Sequence, residues 1–150
     1  MKRVVTQKDI YNFCLLTGDK NPLHLDRGYA EKTRFKQIIA PGMFIASFIP
    51  AALVEQYGNG AIYVSQELEF VKPVHVDDEV EVFLQEAEVE RYSDFRRPSR
   101  QGRTILINTL CKVEDNIVLK GTAKVLTYRP VSLPHGPVLT EFYKKNKIAT

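Results

Sequence analysis

The sequence predicts an α+β fold in which one long apolar helix is wrapped by a curved antiparallel β-sheet. Three observations point there. Residues 37–54 carry no charge and, from Met43 on, are apolar on nearly every helical face. A succession of segments with strand character follows between residues 61 and 127. The last of them are separated by short polar turns, as antiparallel neighbours are.

The elements follow in chain order. Thr6 is a good helix N-cap, and Asp9 three residues on approximates a capping box. Ile10, Phe13, Cys14 and Thr17 then recur at helical spacing, and Gly18 is a natural stop. Pro22 pushes Asn21 out of helical geometry, so Asp19 to His24 is expected to form a bent loop. A short helix is expected around residues 29–34, with Asp26 as its cap. The apolar helix is expected from Met43 to about Gln56, kinked by Pro50 and ended by Gly58-Asn59-Gly60. Surrounded by apolar partners, it is expected to be a buried core helix rather than a membrane span.

Strands are expected over 61–72, 79–90, 104–113 and 117–127. In the second, the apolar set runs Val80, Val82, Leu84 and then shifts by one residue to Ala87 and Val89, which predicts a β-bulge. In the third, Ile105, Ile107, Thr109, Cys111 and Val113 share a face; in the fourth, Ile117, Leu119, Gly121, Ala123 and Val125 do. Glu114-Asp115-Asn116 is a turn. Together they read as an antiparallel meander. Open sheet edges need covering, and pairing with a second copy would do so. The chain reads as one domain over 1–150, with a core of about 6–128 and a Pro-rich tail over 129–150.

Composition narrows the function classes. In 150 residues, 44% are apolar and 26% charged, a globular balance. The net charge of +3 is too small to argue for nucleic acid but suits an anionic, phosphorylated ligand. No signal peptide is visible at the N-terminus, and the protein is expected in the cytoplasm. Cys14 and Cys111 fall at apolar-face positions and are expected as small core residues. Scattered histidines without a CxxC give no metal-ligand pattern, and no cofactor is expected. His75 and His135 have no evident partner in the sequence.

The residues that can carry chemistry are Asp19 and His24. On a bent loop they can converge on one water molecule, one taking a proton from it while the other gives one to carbon, or the reverse. Asn21 can orient a neighbour. Pro41-Gly42 stands where the apolar helix begins, and the N–H of Gly42 could receive charge developing on a thioester oxygen, with no side chain in the way. Read from residue chemistry alone, the same residues are also ordinary: Asp and Asn follow a helix-ending glycine, and a single His can simply be satisfied in a core.

The string from Phe13 to Asp26, with Gly18-Asp19-Lys20-Asn21-Pro22-Leu23-His24 at its centre, resembles the signature of the R-specific enoyl-CoA hydratases, the MaoC-like branch of the hot-dog fold. Tyr29 to Phe35, Ile39-Ala40-Pro41-Gly42-Met43, Ala61-Ile62-Tyr63, Phe70-Val71-Lys72-Pro73-Val74 and Asp77-Asp78-Glu79-Val80 are similar to the same family. The resemblance implies a catalytic Asp19–His24 pair supported by Asn21, and a Gly42 N–H that polarises the thioester carbonyl. It also implies an acyl-CoA thioester substrate, a pocket at a homodimer interface, and possible pairing of dimers. The chain departs from the family in carrying Pro41 where many members have His, and Pro50 where some have a hydroxyl. Ser47 can hydrogen-bond in the pocket or to its own helix backbone. Pro41, Met43 and Phe44 are further candidates for the substrate pocket, whose shape is expected to come from Phe44, Phe48 and Ile49.

Three functions follow. The first is reversible hydration of a trans-2-enoyl-CoA to the (R)-3-hydroxyacyl-CoA. The second is an acyl-CoA thioesterase on the same scaffold. The third is a non-catalytic acyl-CoA-binding protein, or a subunit that works beside a partner. The basic stretch Arg96-Arg97-Pro98-Ser99-Arg100-Gln101-Gly102-Arg103 can meet CoA phosphates or form a solvated hairpin loop.

Overall fold

The computed structural model describes residues 1–58, 60–93 and 101–128. The basic stretch from Arg96 to Arg100, His135 and the tail from residue 129 lie outside the described residues.

The chain opens with a short strand, β1 (Lys2–Val4), and then α1 (Gln7–Thr17). The capping box is complete: Thr6 Oγ1 accepts from the Asp9 N–H, and Asp9 Oδ2 accepts from the Thr6 N–H. Ile10 and Cys14 are buried on its inner face. Gly18 ends it in the left-handed region, at φ 75°. Then follow α2 (Pro22–Leu25) and α3 (Arg27–Lys32). The expected loop over residues 19–24 is therefore half helix. Pro22 takes the first helical position, where its fixed φ helps and its missing N–H costs nothing. Asn21 caps that turn, its Oδ1 accepting from the Leu23 N–H at 3.1 Å. Asp26 caps α3 through the Tyr29 N–H, as expected.

The expected long helix is two helices. α4 (Gly42–Ala46) and α5 (Phe48–Tyr57) meet at Ser47. Pro50 explains the break. It has no N–H to donate to Ala46, four residues back, and its ring crowds that carbonyl. By restarting at Phe48, the chain places Pro50 in the first turn of α5, where it is tolerated. Nor is α5 covered all round. Ile49 and Leu53 are buried, whereas Pro50, Ala51 and Val54 are exposed.

The remaining strands are β2 (Ile62–Phe70), β3 (Glu79–Ser93), β4 (Gln101–Val113) and β5 (Asn116–Tyr128). They form an antiparallel sheet of order β1-β3-β4-β5-β2. The meander holds for β3-β4-β5 only. β2 crosses to the far edge and pairs with β5, and Pro73 lies in the connection that leads from it to β3. The predicted bulge is present: Glu86 pairs with Ile107 and Glu88 with Leu106, leaving Ala87 extra. A second irregularity, between Cys111 and Lys112, lets Val118 and Leu119 both be buried.

The faces follow the alternation on β4 and on β5 from Leu119 onward, whereas Ile117 is only half-buried and, on β3 beyond the bulge, Ala87 and Val89 are exposed. Ile105, Ile107, Thr109 and Cys111 are buried on β4, and Leu119, Ala123 and Val125 on β5. They form one core with Ile45, Phe48, Ile49, Ala52 and Leu53 of the two helices. Burying a side chain such as Ile49 contributes about 2 kcal/mol. Both cysteines are buried free thiols. Burial pushes the Cys111 thiol up to about 11. No helix among the described residues is long and apolar enough to cross a membrane.

Candidate active site

His24 is held at one ring nitrogen and open at the other. Its Nδ1 lies 2.7 Å from the carbonyl oxygen of Ile39. A carbonyl only accepts, so Nδ1 carries the hydrogen and, in the neutral ring, Nε2 keeps a lone pair. The Ile39 carbonyl is itself fixed. Ile39 forms an isolated antiparallel bridge with His75, and the Ala40 N–H donates to the Val74 carbonyl at 2.8 Å. His75 has a partner that the sequence did not suggest: its main-chain N–H donates to Asp78 Oδ2 at 2.7 Å, closing the turn before β3, and its ring Nδ1 lies 3.7 Å from the same oxygen.

Nε2 of His24 faces Asp19, with Oδ2 at 3.9 Å. That is too far for a direct hydrogen bond, yet one water at about 2.8 Å from each could bond to both. Asp19 is aimed by the backbone of the next turn. Its Oδ1 accepts from the Asn21 N–H at 2.9 Å. Asn21 thus supports the pair through its main chain, while its side chain caps α2. His24 is nearly buried, at 8% exposure, and Asp19 is half-buried. The negative charge of Asp19 also reaches Cys14, whose thiol is pushed up by burial first and by Asp19 second.

His24 opens onto a cavity of about 370 Å³. Gly42, Met43 and Ile45 of α4 form one wall, Phe35 and Ile39 another, and Phe70, Pro73, Val74, Val118 and Leu119 the rest. Arg34 and Lys72 are the charged residues on its lining besides the titratable His24. The Gly42 N–H stands in the first turn of α4, where helix donors have no intrahelical acceptor. A Cβ on Gly42 would meet the Phe70 ring at 2.6 Å. The missing side chain therefore makes room for Phe70, a reason additional to the approach of a ligand.

The other candidates fall elsewhere. Phe44 is buried and packs against Phe13, tilted, and against Phe48, edge to face, with centroids at 5.4 and 5.0 Å. Phe44 is turned toward Phe13 of α1, and the cavity is shaped by Met43 and Ile45 instead of Phe44, Phe48 and Ile49. Ser47 Oγ donates to the Phe44 carbonyl at 2.6 Å, bonding its own helix, and does not line the cavity. Pro41 is buried beside the cavity, its carbonyl accepting from the Phe44 N–H. Among the described residues no cluster of three or more His, Cys, Asp or Glu side chains could hold a metal ion.

Sequence reasoning missed Ile39, Phe70, Arg34 and Lys72. Ile39 acts through its carbonyl, which no side-chain pattern reveals. Phe70 and Lys72 stood in a strand motif that showed no direction toward the site.

The chain is similar to several known proteins. A family model described as the MaoC like domain matches residues 1–109. The chain is 38% identical over 126 residues to the 3-hydroxybutyryl-CoA dehydratase of Methylorubrum extorquens, covering 83% of this chain and 74% of that one. It is 35% identical over 127 residues to the (R)-specific enoyl-CoA hydratase of Rhodospirillum rubrum, covering 84% of this chain and 82% of that one. Among solved structures, the (R)-hydratase from A. caviae involved in PHA biosynthesis superimposes with a TM-score of 0.68 at 30% identity, over 86% of this chain and 92% of that one. A sheet laid against α4 and α5 is thus the hot-dog fold, and the chain belongs to the MaoC-like family.

Proposed function

We propose that the protein is a hydro-lyase that reversibly adds water to a trans-2-enoyl-CoA, giving the (R)-3-hydroxyacyl-CoA. The observation that carries this reading is the 3.9 Å separation of His24 Nε2 and Asp19 Oδ2, with His24 and Gly42 both on the lining of one largely apolar cavity and Asp19 just outside that lining. The names of the relatives support the same reaction class.

In this mechanism Asp19 and His24 hold the water, and Asn21 keeps Asp19 aimed. In the hydration direction His24 Nε2 takes one proton from the water as its oxygen bonds the β-carbon. The electron pair of the double bond moves toward the thioester oxygen, where the Gly42 N–H receives the charge. The proton on Nε2 then passes to the α-carbon, and the thioester carbonyl re-forms. One water is consumed and the imidazole returns neutral. Asp19 stabilises the transient imidazolium across the gap. Dehydration runs the same steps backward. No cofactor takes part.

We further read the protein as a homodimer. On β2, Ile62, Val64 and Phe70 are exposed at 47%, 54% and 52%. β2 is an edge strand hydrogen-bonded on one side to β5, so a second copy could cover both its apolar side chains and its open backbone. The two free core thiols suit residence in the cytoplasm.

The test is to mix the purified protein with crotonyl-CoA and follow both the enoyl-thioester absorbance and free thiol. Loss of absorbance without thiol release, with (R)-3-hydroxybutyryl-CoA as product, is expected. Thiol release would mark a thioesterase, and binding without turnover a non-catalytic acyl-CoA-binding protein.

A further inference from the structure

The cavity has an uneven distribution of charge. Arg34 and Lys72 both line it, and no carboxylate does. Both residues are exposed, so their charged ends sit toward solvent rather than in the apolar depth. Neither is paired with a carboxylate among the described residues. Each is instead held by a neutral neighbour. The Arg34 guanidinium lies over the Phe35 ring, 4.8 Å from its centroid, which orients the group but leaves its N–H fork available. Lys72 Nζ donates to Asn116 Oδ1 at 2.5 Å, a bond that positions the ammonium without neutralising it. The two come from separate parts of the chain, the turn after α3 and the segment after β2.

We propose that Arg34 and Lys72 form an anion-recognising rim that selects thioesters carried on a phosphate-bearing thiol. The inference rests on the enoyl-thioester reading and adds what grips the carrier. A thioester that places its carbonyl near Gly42 has its acyl group in the apolar part of the cavity and its carrier leading outward. The carrier's phosphate would then pass exposed cations. A carboxylate at the far end of the acyl group would need a cation among the buried lining residues, which besides His24 are apolar, Ile45, Val118 and Leu119 among them. Arg suits phosphate through its planar fork and Lys as a point charge.

The experiment compares kcat/KM for crotonyl-CoA, crotonyl-4′-phosphopantetheine and crotonyl-pantetheine in the wild type and in an Arg34→Gln/Lys72→Gln double variant. The wild type is expected to favour the phosphorylated substrates by about tenfold or more, mainly through KM, and the double variant to reduce that preference to about twofold. A gain already present with phosphopantetheine assigns the grip to its 4′-phosphate; a gain only with CoA assigns it to the nucleotide phosphates. A preference that survives in the double variant overturns the proposal. So does a wild type indifferent to phosphate that instead prefers, through these two residues, an enoyl-pantetheine with a terminal carboxylate. The charge-conserving Arg34→Lys/Lys72→Arg variant should keep most of the preference, which separates recognition from misfolding. Should no enoyl-thioester be consumed, the hydratase reading falls, and calorimetry with butyryl-CoA against butyryl-pantetheine still decides the rim. Tighter binding of the CoA ester that disappears in the double variant supports it, and equal affinities refute it.

Discussion

His24 donates from Nδ1 to the carbonyl oxygen of Ile39 across 2.7 Å, and this one bond leaves Nε2 as the ring atom that faces Asp19. The tautomer of the proposed base is therefore set by a main-chain group. That group is in turn fixed by the bridge between Ile39 and His75.

The first prediction separates that structural bond from the chemistry. In His24→Asn, the side-chain amide could still donate toward Ile39, so the fold should be retained while the hydration rate falls about a thousandfold. In His24→Phe, the carbonyl of half-buried Ile39 loses its donor, and stability should fall by about 1–2 kcal/mol as well. Thermal midpoints beside crotonyl-CoA rates check both. Equal midpoints for the two variants would deny the bond its structural role.

The second concerns Gly42. A methyl group there would meet the Phe70 ring at 2.6 Å. Phe70 is half exposed and can swing aside, so Gly42→Ala should cost only about 1 kcal/mol of stability. The displaced ring would, however, enter the cavity, and kcat/KM should fall by about tenfold or more. A Gly42→Ala/Phe70→Ala double variant should recover part of the lost stability, which denaturant titration measures.

The third tests the edge strand. At Gly121 a Cβ would come within 1.9 Å of the Glu67 carbonyl oxygen and 2.9 Å of Gln66 Nε2. The Gln66 amide uses that notch to reach Thr109 Oγ1 at 3.1 Å, satisfying a hydroxyl that is buried in the core. Unlike at Gly42, the clash is with backbone and cannot be relieved by a rotamer. Gly121→Ala should therefore loosen β2 from β5 and cost about 2–4 kcal/mol, read as a lower thermal midpoint.

The fourth concerns alkaline pH. Burial raises the Cys111 thiol from 9.0 to about 11 in the folded state. Below about pH 9 it is protonated in both states, and stability is unaffected. Between about pH 9 and 11 the unfolded chain loses this proton while the folded chain keeps it, so stability falls as pH rises, by at most roughly 2–3 kcal/mol. The urea midpoint should drop across that window in the wild type, and drop less in Cys111→Ala.

How far the sequence reached depends on what each feature rests on. Features governed by local side-chain pattern were legible: the Thr6–Asp9 cap, the Gly18 stop, the extra residue at Ala87 and the buried face of β4 from Ile105 to Cys111. Features governed by non-local geometry were not. β1 is too short to show a period, and the departure of β2 to the far edge depends on which strand offers a free ladder. Pro50 was read as a kink, but its effect reaches four residues back and breaks the helix at Ser47. At the site, Asp19, His24 and Gly42 stood out by residue type. The Ile39 carbonyl and the Asn21 N–H did not, because their contribution comes from the main chain. Ser47 and Phe44 cannot be told from cavity residues by residue type, because which side of α4 meets Phe13 is a tertiary matter.

The central claim is that Asp19 and His24 act on one water molecule. The most direct measurement is the initial rate of crotonyl-CoA hydration by Asp19→Asn, taken alongside its circular dichroism and thermal midpoint. The account predicts a natively folded variant whose kcat is at least about a hundredfold lower, because an amide in place of the carboxylate can neither hold the water as strongly nor stabilise the imidazolium. A folded Asp19→Asn protein hydrating crotonyl-CoA at the wild-type rate would contradict it.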